Sequence, residues 1–212
     1  MEAFLQEYGN DLVTKSIEHI YISAAALFLG ILVAVPLGVL LTRTKKTANF
    51  VIGLTSLLQT IPSLALLTMF IPIFGVGKTT AIVALFIYSL LPILRNTYLG
   101  VKQVDPNYVD AAKGMGMTTF EQIRLVEIPL AMPTIMRGIR LGTIYVISWA
   151  TIASYIGGGG LGDLIFGGLN LYKPALIIGG TLPVIFLALI SDFLLGLLEK
   201  KLSPLEKGES KA

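Results

Sequence analysis

The chain has 212 residues, of which 54% are hydrophobic and 14% charged, with a formal net charge of +3 and a mean hydropathy of +0.79. Soluble domains carry charge on about a quarter of their residues, so this balance excludes a water-soluble enzyme or a nucleic-acid binder and defines a polytopic membrane protein. Cysteine is absent and histidine occurs once, at His19, which removes disulfides, thiolate metal ligands and most imidazole chemistry.

In chain order, the first 18 residues carry Glu2, Glu7, Asp11 and Glu18 against one cation, Lys15. That is the opposite of a basic signal-peptide start, and residues 1–19 are expected to form an extracytoplasmic segment ending at His19, an interface residue. Hydrocarbon needs about 20 apolar residues per crossing helix. Residues 20–42 are uncharged and predict the first span; the second is predicted at about 48–74 and contains Pro62, and the third at about 79–99 and contains Pro92. Residues 100–132 hold seven charges and form the one substantial polar segment between spans. A fourth span, about 133–156, begins before Arg137 and Arg140, whose long stems snorkel to the cytoplasmic interface. The fifth span, about 174–198, opens on Pro174 and leaves a tail at 201–212. Long apolar runs without period-two alternation predict helices rather than a barrel. The expected fold is therefore an all-α membrane domain over 20–200 with about five spans.

Lys and Arg set orientation. Thirteen of the sixteen basic residues fall in the first loop, the 95–140 region and the C-terminal tail; only Lys15, Lys78 and Lys173 fall on the other side. The N-terminus is expected outside and the C-terminus in the cytoplasm.

The polar segment 105–129 reads DPNYVDAAKGMGMTTFEQIRLVEIP. Asp105 is placed to cap a helix starting at Pro106, which ends near Gly114 or Gly116. Thr118 and Glu121 form a capping-box pattern for a second short helix, expected to stop before Pro129. Tyr108, Ala111, Ala112 and Met115 share one face of the first helix, and Phe120, Ile123 and Val126 one face of the second. Such a knuckle is either an interfacial hairpin or a docking element for a cytoplasmic partner.

This segment resembles the "EAA" loop of ABC importer permeases. Asp110, Ala111 and Ala112 take the Glu-Ala-Ala places, Gly116 the glycine, and Val126, Ile128 and Pro129 the closing Ile-x-Leu-Pro positions. The resemblance runs from about residue 20 to 200 and implies the methionine-importer-like permease fold. It further implies that the loop, with Phe120, is a coupling helix seated in the ATPase partner. More narrowly, QTIPSLALL at 59–67, DAAKGMGM at 110–117 and SYIGGGGLGDLIFGGL at 154–169 look like permeases for glycine betaine, carnitine and choline; the glycine motif is also similar to the methionine-importer permease. The implied partners are a cytoplasmic ATPase dimer that binds ATP and Mg, a second permease subunit, identical or paralogous, and an extracytoplasmic solute-binding protein. No cofactor, metal or catalytic site is expected in this chain. Gly75–Val76–Gly77–Lys78 is too short for a phosphate loop and reads as a turn between spans.

Several residues have two readings. Residues 157–168 contain seven glycines, including Gly157, Gly158, Gly159, Gly160 and Gly162. Such a run lacks the side chains that specify a helix and is either a connector or part of an external gate or receptor-docking surface, to which Asp163 adds a carboxylate. Tyr88, Trp149 and Tyr155 either pack or face the pathway, where they contact a quaternary ammonium. Pro62 and Pro92 interrupt the hydrogen-bond ladder and mark gates, hinges or ordinary bends. Asp192, the one acid well inside a span, is an interfacial carboxylate, a gate or helix-pair contact, or a substrate contact; Arg95 is an interface anchor or a clamp beside the coupling loop. The rival functions are import of methionine or another small amine, a secondary carrier, and a non-transporting scaffold.

Overall fold

Helix α1 (Glu2–Leu41) runs 40 residues without interruption, about 60 Å at 1.5 Å per residue, so it extends well beyond a ~30 Å hydrocarbon layer. The structure, a computed structural model, describes residues 2–202, with side chains from residue 6; most of the tail expected at 201–212 lies outside the described residues. The N-terminal segment and the first predicted span are thus one helix. His19 is the clearest departure from expectation. It is 1% exposed, with Nε2 3.0 Å from the Ile147 carbonyl. A membrane-edge histidine would keep its ring in headgroups and water; here it is enclosed against the backbone at Ile147.

Next come α2 (Lys45–Thr60) and α3 (Ser63–Phe74), which meet at a 99° bend. Pro62 causes the break. It forces Ile61 into an extended conformation, φ −68° and ψ 128°, as a proline demands of the residue before it. Gly75 and Gly77 then turn the chain with φ of +79° and +128°, values open to glycine at little cost, and α4 (Lys78–Lys102) follows. Pro92 lies inside α4 without ending it, so the expected interruption occurs at Pro62 and not here. The Pro92 carbonyl accepts a hydrogen bond from Asn96 Nδ2 at 2.8 Å.

Helix α5 (Pro106–Gly114) is capped by Asp105, whose carboxylate accepts from the Asn107 N–H at 2.9 Å. Helix α6 (Thr119–Gln122) carries the full capping box: the Glu121 N–H donates to the Thr118 hydroxyl, and the Thr118 N–H to Glu121 Oε2 at 2.7 Å. The second short helix does not stop before Pro129, as the sequence led us to expect. It passes through one wide turn at Ile123–Glu127 into α7 (Ile128–Ala153). Within that turn the Ile128 N–H bonds to the Ile123 carbonyl, five residues back. The ladder is already shifted where proline lacks its N–H, so Pro129 sits in a first turn, where it is tolerated.

A short tight turn at Ser154–Ile156 leads into the glycine run, α8 (Gly162–Asn170) and α9 (Pro174–Leu202). The run is therefore half turn and half helix: Gly162, Gly167 and Gly168 are helical, contrary to the expectation of a wholly irregular segment. Tertiary packing supplies what the side chains lack. A Cβ on Gly168 would stand 2.8 Å from the Ile177 backbone nitrogen, and one on Gly180 3.0 Å from the Leu161 carbonyl, so α8 and α9 touch backbone to backbone.

Helices α4 and α7 form the centre, with α1 behind them and α9 beside α7. Small residues allow the close approach that drives packing where lipid offers no hydrophobic gain. A Cβ on Gly138 would lie 2.8 Å from the Pro92 carbonyl, and one on Gly38 2.7 Å from Thr97 Cβ. Among the described residues four helices, Gln6–Leu41, Lys78–Lys102, Thr119–Ile156 and Pro174–Leu202, are long and apolar enough to cross a bilayer, and the bent α2–α3 pair makes a fifth if it counts as one broken span. The most apolar stretch of α9 buries none of its residues within this chain.

Candidate functional site

Three regions gather the residues singled out by the sequence. The first is the knuckle formed by α5, α6 and the wide turn. Its base is fixed: Ala112 is buried, Gln122 donates to the Met117 carbonyl at 2.7 Å, and Arg43, just beyond α1, pairs with Glu127 at 2.5 Å. The Glu127 side chain is 4% exposed, so this pair anchors the knuckle to the bundle from within. Its far side is bare. Met115 is 70% and Phe120 68% exposed, with Tyr108 and Leu125 beside them in being open. Asp110 is exposed and pairs only locally, with Lys113 at 2.9 Å. Of the Glu-Ala-Ala-type residues, then, Asp110 and Ala111 face outward and Ala112 faces the bundle; Val126, Ile128 and Pro129 are half-buried at its root. Gly116 turns between the helices at φ +80° with open space around it.

The second region lies where α2, α3, α4 and α7 meet. Ending α2 at Pro62 frees the Ile61 carbonyl, and an unpaired carbonyl in a membrane interior is costly. The Tyr88 hydroxyl donates to it at 2.8 Å, while Gln59 Nε2 donates to the Tyr88 carbonyl at 2.9 Å. Tyr88 is thus a staple across the bend. It is 2% exposed and meets Trp149 edge-on, ring centroids 3.9 Å apart; Trp149 in turn stacks on Tyr145 at 5.6 Å. The free aromatic surface here belongs to Trp149 and Tyr145, both half-buried, rather than to Tyr88. Two open crevices follow: one lined by Asn49, Ser56 and Tyr98, the other by Gln59, Asn96 and Tyr145, with Arg95 shared by both. Tyr155 does not join this group; it is exposed and packs edge-on against Phe166.

The third region is a pair of ionic clusters, one where the glycine run meets α1 and α4 and one between α7 and α9. In the first the glycine run closes over α1: the Gly160 N–H donates to Glu18, Glu18 also binds Lys15 and Lys78, and Asp163 binds Lys15. In the second, Arg140 holds Asp192 through two nitrogens, at 2.9 and 3.0 Å, and Glu199 through a third at 2.7 Å; Arg137 adds a contact to Glu199. Asp192 is therefore a helix-pair contact between α7 and α9, beside an open groove lined also by Arg137 and Glu199, and does not meet Tyr88, Pro62 or Pro92. In the sequence Lys15 and Glu18 were only charges of the N-terminal segment, and nothing signalled the long-range pairs Lys78–Glu18, Arg43–Glu127 and Arg140–Glu199. Among the described residues no cluster of three or more His, Cys, Asp or Glu side chains is placed to hold a metal.

A bundle of this kind, with membrane-length helices, a protruding capped knuckle and polar crevices between helices, has the build of a membrane transport subunit. Residues 26–204 match the family described as "Binding-protein-dependent transport system inner membrane component". The chain is 62% identical over 204 residues to the glycine betaine/carnitine/choline transport system permease protein OpuCB of Bacillus subtilis (strain 168), covering 96% of this chain and 94% of that protein. It is 61% identical to the choline transport system permease protein OpuBB of the same organism, covering 95% and 93%, and 59% identical to the carnitine transport permease protein OpuCB of Listeria monocytogenes, covering 95% and 92%. The chain belongs to this family, as a permease subunit of its glycine betaine/carnitine/choline (OpuC/OpuB) ABC importer branch. Its fold matches inward-facing structures of the MetNI methionine ABC transporter with a TM-score of 0.83 at 22% identity, covering 90% of this chain and 95% of that one.

Proposed function

We propose that this chain forms half of the translocation pathway of an ATP-driven, binding-protein-dependent importer of quaternary-ammonium compatible solutes: glycine betaine, carnitine and choline. The near full-length identity to the Bacillus subtilis permeases carries the cargo reading. The likeness of the glycine motif at 157–164 to methionine-importer permeases leaves methionine or another small amine as the alternative that the test below decides.

The chain spans the plasma membrane with its N-terminus outside and its C-terminus in the cytoplasm, an orientation supported by the thirteen-to-three distribution of basic residues. Residues 1–19 then begin outside, 20–200 form the permease domain, 100–132 lie in the cytoplasm, and the tail follows at 201–212. The knuckle is the coupling element. Asp110, Ala111, Ala112, Gly116, Phe120, Val126, Ile128 and Pro129 shape or present it to a partner ATPase dimer, which binds ATP and Mg. The uncovered side chains of Tyr108, Met115 and Phe120 support this, because exposed apolar residues at a polar end of the bundle suit a protein groove. The firm root at Arg43–Glu127 lets a push on the knuckle reach α1 and α7.

The cycle runs as follows. A loaded solute-binding protein docks on the outer faces of two permease subunits, near the glycine run. ATP closes the ATPase dimer, the knuckles are drawn inward, and the pathway opens outward; hydrolysis and release reset it. Pro62, held by Tyr88, is the gate candidate, while Trp149 and Tyr145 offer the aromatic faces a quaternary ammonium requires. The deciding experiment is co-purification of the complex followed by reconstituted uptake with betaine, choline, carnitine and methionine. ATP-dependent uptake of the quaternary ammonium solutes is expected. Tight binding and uptake of methionine alone overturns the cargo. Uptake that survives loss of the ATPase but collapses with the ion gradient overturns the class.

A further inference from the structure

One carboxylate, that of Glu18, joins the turn at 157–163 to both α1 and the start of α4. Glu18 accepts from Lys78 Nζ at 2.7 Å through one oxygen, and from Lys15 Nζ and the Gly160 N–H, both at 3.2 Å, through the other. Lys15 also reaches Asp163 at 2.6 Å. These four side chains come from three separate segments: the second half of α1's outer portion, the first residue of α4, and the glycine run with α8. Glu18 is 23% exposed and its partners are partly covered, so water screens the network less than it screens a surface pair.

The glycines make this junction possible. A Cβ on Gly159 would stand 2.8 Å from Glu18 Oε2, and one on Gly160 would stand 3.0 Å from His19 Nδ1 and 3.3 Å from its Cα. The turn therefore lies on α1 backbone to backbone, with Gly159 and Gly160 at φ of +80° and +82°. A second tie runs in parallel: the Gly77 N–H donates to the Ile156 carbonyl at 3.0 Å, so the start of α4 is bound both before and within the run.

We propose that Glu18 is the positioning centre of an ionic junction that keeps the glycine turn closed against α1 and α4, and that the turn moves during transport only when this junction opens. The proposal rests on the reading of the glycine run as the outer, receptor-facing end. Removing that carboxylate takes the common acceptor from Lys15, Lys78 and the Gly160 N–H and leaves Lys15–Asp163 and Gly77–Ile156 as the remaining polar ties of the turn.

The test uses the complete reconstituted complex. Glu18→Ala should raise receptor-independent ATP hydrolysis about fivefold or more, the scale of ordinary coupling between sites, and lower the receptor concentration that gives half-maximal stimulation. Adding Lys78→Met to Glu18→Ala should add little, because both act on one junction. Glu18→Gln, which keeps the shape and an acceptor, should give the same direction with a smaller change and decides the matter if Glu18→Ala does not assemble. Unchanged receptor-independent hydrolysis in an assembled variant, or fully additive effects, overturns the proposal. A second readout is independent of the importer reading. The chain has no cysteine, so a spin label on Tyr155→Cys, two residues before the turn, is the one label it carries: Glu18→Ala should sharpen its spectrum, and an unaltered spectrum overturns the junction even where no cargo is transported.

Discussion

Two of the glycine-bearing turns outside the main helices, the run after α7 and the turn in the knuckle, use glycine for opposite reasons. At Gly158 and Gly162 in the run glycine is demanded by neighbours: a Cβ on Gly162 would fall 2.0 Å from the Thr151 carbonyl, and one on Gly158 2.6 Å from the Ala153 carbonyl. At the knuckle, Gly116 has nothing within 4 Å of its notional Cβ and is demanded only by its φ of +80°. One turn is locked into the bundle; the other is presented away from it. The difference teaches where to look for partners. A packed turn communicates through what holds it, whereas a bare one needs something outside this chain to cover it.

That contrast predicts that stability and coupling respond in opposite order at the two turns. The largest loss of stability is expected for Gly162→Val, where no small side-chain shift relieves a contact with backbone. Overpacking of this kind costs about 3 kcal/mol, and thermal unfolding of the purified complex measures it. A loss under 1 kcal/mol would mean that the run is not locked as described. Next is Glu127→Gln, which removes the charge facing Arg43 at the knuckle's root. Since Arg43 is partly exposed, the cost should be about 1–2 kcal/mol, below that of a fully buried pair.

Gly116→Ala introduces only the backbone strain of a left-handed residue, about 1 kcal/mol. Gly116→Phe should depress ATPase stimulation and uptake while receptor binding survives; unchanged coupled transport would move the coupling segment elsewhere. Smallest in stability is Phe120→Ala, within about 0.5 kcal/mol as for an exposed site. Yet it should weaken association with the ATPase by tenfold or more if it is an interface anchor, a difference read directly by co-purification. Equal, small effects of Phe120→Ala on both measures would erase the contrast between the two turns.

The knuckle was legible because its signals are local. Asp105 before Pro106 and Thr118 before Glu121 specify caps over three or four residues, and the structure contains both hydrogen-bond patterns. Pro62 was likewise legible as a break, since it acts on the residue beside it. Pro129 misled the reading for a physical reason: its effect depends on whether the ladder behind it is intact, and the wide turn at Ile123–Glu127 had already shifted that ladder. The helical half of the glycine run misled for the converse reason, because contacts with α9 supply the order that glycine cannot encode.

By itself the sequence determined the membrane class, the all-α fold, the helix caps and the resemblance to importer permeases, because hydropathy, capping and motif spacing are properties of neighbouring residues. Only the tertiary structure decided that His19 lies against the backbone at Ile147, that Asp192 serves Arg140, that Tyr88 repairs the bend at Pro62, and that Glu18 ties the glycine turn to two helices. Each of these joins residues between 27 and 142 positions apart. A polar group in an apolar bundle must find its partner wherever packing brings one, and packing is fixed by the whole chain.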